Sequence, residues 1–544
     1  MSSPKPLGEL LKDGGVVNDE MIAYALAVQK VSKERLGGIL LRLRFVTDDE
    51  VARTLAGQSG VPYEALEVAN PDREALAQIP SNFAQKYGVL PLGFDGDQLV
   101  LATDDPYQTE IAERATRFTS WKLKLVSAPA SRLRRAIQRV YYMVEHPIDA
   151  DVARLAGQLH SGREVNTEAL LDLLLAAAVD ERASDIHFSP TVSASLISMR
   201  LDGVLHLRFA LPAGLHGRLV STCKVRAALD IADTTRPQDG RATFKFIDGN
   251  YDLRVSTMPT ADGENLVIRV LSGSAELVSL GSLGLSQAQT RTLDRAVSQP
   301  HGTLFICGPT GSGKSTTLYA LLRRVNAMQR NIMTIEDPVE YRMPLAHQVE
   351  VNERAGLTFA NSIRGFLRQD PDVILVGEVR DEETAALSMR AAQTGHLVLT
   401  SLHANDTVGA LIRLRDLGVE NYLIASTVTA IVAQRLLRKL CRHCRELIPA
   451  EASDQVASSP TRYRAKGCVS CRHTGYVGRQ AVAEVLEIDR DLSRMIDRGD
   501  TPSALYEAVE KRGISSMRDE AARLVDEGVT DQAEFDRVLG SAHT

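Results

Sequence analysis

The sequence predicts a multidomain α/β chain, and three observations lead there. The apolar run Thr303–Cys307 feeds into GPTGSGKST at 308–316, and a helix-forming stretch follows from Thr317, giving strand, glycine-rich turn and helix in succession. Downstream, the apolar runs within Asp372–Asp381 and Gly395–Asp406 read as buried parallel strands. Between about 166 and 272, a helical pattern gives way to alternating segments such as Ile197–Leu201 and Tyr251–Val255. At 544 residues, with about 150 per domain, three to five domains are expected, and 44% hydrophobic content supplies several cores.

The chain opens with an internal repeat, at 1–60. Leu7-Gly8-Glu-Leu10-Leu11 aligns with Leu36-Gly37-Gly-Ile39-Leu40 at an offset of 29, and Leu26 and Gln29 align with Leu55 and Gln58. Each copy predicts a helical pair whose second helix starts at an Asn18 or Thr47 N-cap. A small α/β module at 61–142 follows, with strands in Tyr87–Leu92, Gln98–Ala102 and Trp121–Val126. Its Arg132, Arg134, Arg135 and Arg139 span two helical turns and read as a solvated helix face rather than a phosphate patch. Residues 143–165, polar with Pro147 and Gly162, read as a linker. The module at 166–272 starts with a helix over Glu168–Glu181 and continues in strands. Arg269 lies among apolar neighbours there, which leaves a structural ion pair and a phosphate contact across an interface as its two readings.

The glycine-rich turn holds the most specific chemistry. Gly308, Gly311 and Gly313 let backbone N–H groups face a phosphate, with Pro309, Thr310, Ser312 and Thr316 completing the cradle, and the helix that follows adds its positive dipole end. In such loops the lysine, here Lys314, reaches the β- and γ-phosphates, and the hydroxyl of Ser315 sits on Mg²⁺. The chain is therefore expected to bind ATP or GTP. Three polar clusters follow at strand ends: Glu336 with Asp337 in Thr334–Glu340, Glu378 after an apolar run, and His403 after another. Ligands of open α/β sheets sit at the carboxyl ends of strands, so these groups are expected near Lys314, where hydrolysis needs acids for metal and water.

Cys441-x-x-Cys444 and Cys468-x-x-Cys471, with 23 residues between the pairs, have the spacing of a four-thiolate zinc site. A redox pair or disulfides are the alternatives, and a chain lacking a secretion signal favours structural zinc. His443 and His473 lie close by, while Cys223 and Cys307 read as buried bystanders. The N-terminus has no apolar signal core, and Ala169–Val179 is too short to span a bilayer, so a soluble cytosolic chain is expected. A net charge of −6 gives no global pull toward nucleic acid.

These motifs together resemble the secretion ATPase superfamily of type II secretion and type IV pilus assembly. The resemblance rests on the phosphate loop, the aspartate box at 334–340, LRQDPDVILVGEVRD at 367–381, the histidine box at 395–406, AQRLLRKLC at 433–441, RPQDGR at 236–241, RVSTMPT at 254–260, both cysteine pairs and TGYVGR at 474–479. Cys307 and Ala404 stand where the family commonly has threonine. The resemblance implies a RecA-like P-loop ATPase core at 276–436, a PAS-like domain at 166–272, a tetracysteine zinc insert at 437–478 and a C-terminal helical region at 479–544. It further implies a homo-hexamer on the cytoplasmic face of the inner membrane. There it would use ATP and Mg²⁺ to turn an inner-membrane platform protein, beside an associated membrane-anchoring protein. Glu336 and Glu378 would position water and metal, with the general base left open between them. Arg254 and Arg269 would supply charge to the γ-phosphate, His403 would sense nucleotide, and Arg364, Arg368 and Arg380 match further family arginines.

The repeat resembles the paired-motif N-terminal domain that some members use to bind cyclic di-GMP. Leu7, Gly8 and Gln29 in one copy and Arg35, Leu36, Gly37 and Gln58 in the other are the matching residues. Pro6 replaces the first motif's arginine and Arg44 replaces a glycine matched by Gly15, so a ligand-free docking adaptor is the competing reading. For the whole chain, the competing classes are a DNA-translocating RecA-like motor and a non-hydrolysing nucleotide-sensing assembly factor. The acidic balance and zinc insert weigh against the first, and the pairing of Lys314 with Glu378 against the second. Assembly fits better than retraction, because retraction motors usually lack the insert and the long N-terminal region.

Overall fold

The computed structural model describes residues 5–66, 71–107, 109–159, 162–247, 249–272, 278–449 and 461–540. The chain divides into two compact units, residues 1–54 with 276–544, and residues 55–275.

The 55–275 unit holds two sheets. β1 (Val89–Asp95), β2 (Gln98–Thr103) and β3 (Lys122–Ser127) form the first, with β2 antiparallel to β1 and parallel to β3. The helix Ala130–Glu145 covers it through Leu133, Ala136, Ile137, Val140 and Tyr141. The arginine face expected to be solvated on this helix is partly tied down instead. Arg132 donates to the Ala65 carbonyl at 2.9 Å, and Arg139 pairs with Asp180 at 3.6 Å with both side chains 18% exposed.

The second sheet is antiparallel throughout, in the order β6-β5-β4-β9-β8-β7. Its strands are β4 (Asp185–Pro190), β5 (Ala194–Leu201), β6 (Val204–Pro212), β7 (Gln238–Phe246), β8 (Gly249–Thr260) and β9 (Gly263–Ser272). Alternation sends Leu253, Val255, Leu266 and Ile268 inward against the helices Thr167–Asp180 and His216–Arg226. The stretch expected to be a linker contains a helix, Ile148–Gly157, whose Ile148, Val152, Leu155 and Ala156 join that core. Their i, i+4, i+7, i+8 spacing is one helix face, and Pro147 sits at its N-cap rather than breaking structure.

The other unit is built on a seven-stranded sheet in the order β12-β11-β13-β14-β10-β15-β18. It comprises β10 (Gly302–Cys307), β11 (Ile332–Glu336), β12 (Ala346–Glu350), β13 (Val373–Val376), β14 (Leu397–Leu402), β15 (Val428–Leu440) and β18 (Tyr476–Glu487). All neighbours pair parallel except β18, which runs antiparallel to β15. Every residue of β10, β11, β13 and β14 is buried, the signature of strands covered on both faces. The cysteine insert leaves the sheet after Leu440 and returns at Tyr476, carrying the antiparallel strands β16 (Glu446–Pro449) and β17 (Thr461–Arg464). Residues 479–487, expected within a helical region, are therefore sheet, and the helices begin at Arg490.

The N-terminal repeat folds as two helical pairs, α1 (Leu7–Asp13) with α2 (Asp19–Ser32) and α3 (Leu36–Arg42) with α4 (Asp48–Ser59). Asn18 caps α2 at Met21 N, and Thr47 with Glu50 makes a reciprocal capping box on α4. A Cβ on Gly8 would stand 3.2 Å from Leu36, and one on Gly37 would stand 3.2 Å from Leu7, so the two glycines let α1 and α3 cross closely. Residues 15–50 dock beyond the helix that follows the phosphate loop. Arg323 pairs with Glu50 at 3.0 Å with side chains 8% and 17% exposed, and Asn326 and Gln329 donate to Glu20. No helix among the described residues is long and apolar enough to cross a membrane.

Candidate functional site

The glycine-rich loop joins β10 to the helix Lys314–Leu322. Gly308 has φ +152°, and a Cβ there would lie 2.5 Å from Ser312 Oγ and 2.6 Å from the Gln434 carbonyl. Gly313, at φ +86°, caps the helix in the left-handed region. Both positions require glycine. Gln434, on the neighbouring β15, braces the loop from beneath: its amide donates to Ser312 O at 2.7 Å and its Oε1 accepts from Thr317 Oγ1 at 2.9 Å.

Lys314 Nζ donates to the carbonyls of Gly308 and Pro309 at 2.9 and 3.2 Å. Burial pushes its ammonium below the ordinary lysine value, opposed by the charge of Glu378. Ser315 Oγ donates to Glu340 Oε1 at 3.1 Å. The hydroxyl and carboxylate are hard oxygen donors of the type Mg²⁺ prefers.

β11, β13, β14 and β10 are parallel neighbours, so their carboxyl ends share one edge, as expected from the sequence. Glu378, beyond β13, lies 2.9 Å from His403 Nε2 and accepts from Arg380 Nε at 3.0 Å. Glu336, expected to position water and metal, faces the interior instead. It is 4% exposed, and its carboxylate accepts from Thr334 Oγ1 at 2.6 Å, Gln348 Nε2 at 3.2 Å and the Tyr319 hydroxyl. The acid that meets Ser315 is Glu340, four residues later in the same box. The sequence placed three acids between 336 and 340, and the path of the chain after β11, which decides among them, has no periodicity to read.

Among the family-matched arginines, Arg364 bonds Asn361 and Glu383, and Arg368 donates to the Arg364 carbonyl. Arg254 and Arg269 lie in the other unit, directly opposite each other on β8 and β9, with Arg241 opposite Arg254 on β7. Arg269 donates to Asp185 at 3.0 Å, which is the ion pair offered as one of its two readings. In the repeat, Arg35 is the N-cap of α3 and Pro6 that of α1, while Gln29 donates to Glu34 O.

The sulfurs of Cys441, Cys444, Cys468 and Cys471 all lie within 4.8 Å of one another. Cys441–Cys468, Cys444–Cys471 and Cys468–Cys471 are 3.9, 3.7 and 3.8 Å apart. A tetrahedron with Zn–S of ~2.3 Å has S···S edges of about 3.8 Å, so the thiolates fit zinc. The amides of Cys468 and Gly475 point at Cys471 Sγ at 3.1 and 3.2 Å, which spreads thiolate charge. Cys223 and Cys307 are buried apart from this cluster, and burial pushes the Cys223 thiol up to about 12.

Comparison with known proteins bears on the family and the fold. Residues 162–537 match the family described as type II/IV secretion system protein, and residues 59–146 match the MshEN domain. The chain is 43% identical over 373 residues to the type II secretion system protein HxcR of Pseudomonas aeruginosa, covering 69% of this chain and 77% of that one. It is 33% identical over 551 residues to the type IV pilus assembly ATPase PilB of Myxococcus xanthus, covering 96% and 97%. The X-ray structure of the Legionella pneumophila ATPase DotB shares the fold, with a TM-score of 0.51 at 21% identity over 68% of this chain and 95% of that one.

Proposed function

Because the chain belongs to the type II/IV secretion system protein family and is an ATPase of that family, we propose that it works as a hexamer at the inner-membrane face, turning a platform protein to drive pilus assembly or type II secretion. The observation behind this is the joint placement of Lys314, Ser315 with Glu340, and Glu378 with His403 around one glycine-rich loop.

ATP entering the loop gives Lys314 phosphate oxygens in place of the Gly308 and Pro309 carbonyls. Desolvation of its ammonium makes that exchange favourable. Mg²⁺ held by Ser315 and Glu340 would neutralise charge on the β- and γ-phosphates. Glu378 is the acid left facing the loop with partners that orient it, so it aligns the attacking water, and His403 reports on the γ-phosphate through it. Arg254 and Arg269 would supply positive charge to the γ-phosphate, acting chiefly on the transition state. The zinc insert has a structural role.

The repeat at 1–58 binds cyclic di-GMP in this reading, with Arg35 as the intact half-site and Pro6 as the weakened one. Its dock on Arg323 lies at the end of the phosphate-loop helix, within reach of the motor.

Complementation tests the assignment. A strain lacking this gene should regain fibres or secreted protein with the wild-type gene and not with Lys314→Ala. Full rescue by Lys314→Ala would reject the motor role.

A further inference from the structure

Behind the phosphate loop lies a buried polar cluster that the reaction described above does not use. Tyr319 is one helical turn beyond Ser315 on the phosphate-loop helix, so both project from the same face. It is 2% exposed. Its hydroxyl donates to Glu336 and accepts from the backbone N of Tyr341 and from Gln348 Nε2, each at 3.3 Å, which fills the capacity of a phenol.

Gln348, on β12, extends the hold. It donates to the Tyr341 carbonyl at 2.8 Å and accepts from Met343 N at 2.8 Å. The rings of Tyr319 and Tyr341 also meet edge to face, with centroids 4.8 Å apart. Thus the segment leaving β11 is fastened at Tyr341 and Met343, and the residue just before Tyr341 is Glu340.

Burying a carboxylate such as Glu336 is costly unless it is fully hydrogen-bonded, and an apolar side chain fills space without that cost. The cluster therefore does more than fill the core. We propose that Tyr319, acting through Glu336 and Gln348, is a positioning residue that sets where the Glu340 carboxylate meets the Ser315 hydroxyl. This rests on the reading of Ser315 and Glu340 as the Mg²⁺ site. One helix turn then holds both the metal-facing hydroxyl and the anchor of its partner acid, so the two stay in register when the loop changes shape around nucleotide. A misplacement of about 1 Å at such a site costs on the order of a hundredfold in rate.

A double-mutant cycle in the full-length protein tests this. Tyr319→Phe should lower kcat roughly ten- to a hundredfold and raise the Mg²⁺ concentration giving half-maximal turnover. Affinity for a fluorescent ADP in EDTA should stay within about twofold of wild type. In a Glu340→Gln background, Tyr319→Phe should leave both turnover and the Mg²⁺ enhancement of ADP binding nearly unchanged. Equal fold-losses in both backgrounds, or ADP affinity in EDTA falling in step with turnover, would overturn the proposal. Gln348→Met, which keeps size and removes the hydrogen bonds, enters the same cycle if Tyr319→Phe does not fold. Glu340→Gln alone separates the two levels: wild-type Mg²⁺ dependence in it sinks the Mg²⁺-site reading itself, whereas an additive cycle with Glu340→Gln impaired in Mg²⁺ dependence sinks only the positioning role.

Discussion

Replacing one zinc ligand, as in Cys468→Ser, should empty the metal centre and unfold the insert while leaving the ATPase sheet intact. The magnitude follows from the geometry. Structural zinc binds small domains with about 10–16 kcal/mol, and four equivalent thiolates share it at about 2.5–4 kcal/mol each. Loss of one then weakens binding by roughly a hundred- to a thousandfold. The insert has a small apolar core of its own: between Leu440 and Gly475 the buried apolar side chains among the described residues are Leu440, Cys441 and Cys471. Its ties include the β16–β17 ladder, Cys441 N to Gly475 O at 2.9 Å, and bonds to the C-terminal region from Arg445 to the Gly528 carbonyl at 2.7 Å and from Ala465 N to Asp531 at 3.0 Å. Elemental analysis should give one zinc per wild-type chain and well under half that for Cys468→Ser, with new proteolytic cuts confined to 441–475. A full zinc complement in Cys468→Ser, or a zinc-free wild type with a protease-resistant insert, would refute the reasoning.

Glu534, fully buried, binds Arg438 and Arg537 through paired bonds of 2.6–3.0 Å, and Glu534→Ala should cost about 3–5 kcal/mol in urea unfolding because the arginines lose their partner. Burial raises this carboxyl's pKa, but the arginine hydrogen bonds outweigh it and hold it below the ordinary glutamate value. Its stabilising contribution is therefore complete above that ordinary value and lost as pH falls through the lower folded one, which unfolding at stepped acid pH will show as a slope absent from Glu534→Gln. Arg44 has φ +60° where its repeat mate Gly15 has φ +68°, so Arg44→Gly should stabilise residues 5–54 by roughly 0.5–1 kcal/mol, read by hydrogen exchange. Pro6→Arg should restore a charged donor worth about 1.5–3 kcal/mol and tighten cyclic di-GMP at least about tenfold by calorimetry on the full chain; equal affinity would favour the adaptor reading.

The sheet and the loop were legible because buried parallel strands and a glycine-rich turn leave strong local patterns. Glu378 and His403 stand out in the sequence for the same reason, each following an unbroken apolar run. The inward turn of Glu336 is not legible in the sequence because β11 is covered on both faces, so alternation does not say which side its last residue takes. Gln434 was missed because a buried amide in a long strand looks like any polar interruption, and its partners, Ser312 and Thr317, are more than a hundred residues away. The helix Ile148–Gly157 reads as linker in the sequence because Pro147 and two aspartates hide a short apolar face. The row of Arg241, Arg254 and Arg269 depends on register across three strands, which no single strand encodes.

Phosphate release from Mg·ATP by the full-length chain, with and without Lys314→Ala, tests the central claim most directly. The loop geometry predicts that Lys314→Ala lowers turnover by roughly a hundredfold or more, since a preorganised charge at the transferring phosphoryl group is lost, while zinc content and thermal unfolding stay those of wild type. Wild-type turnover in Lys314→Ala would contradict it.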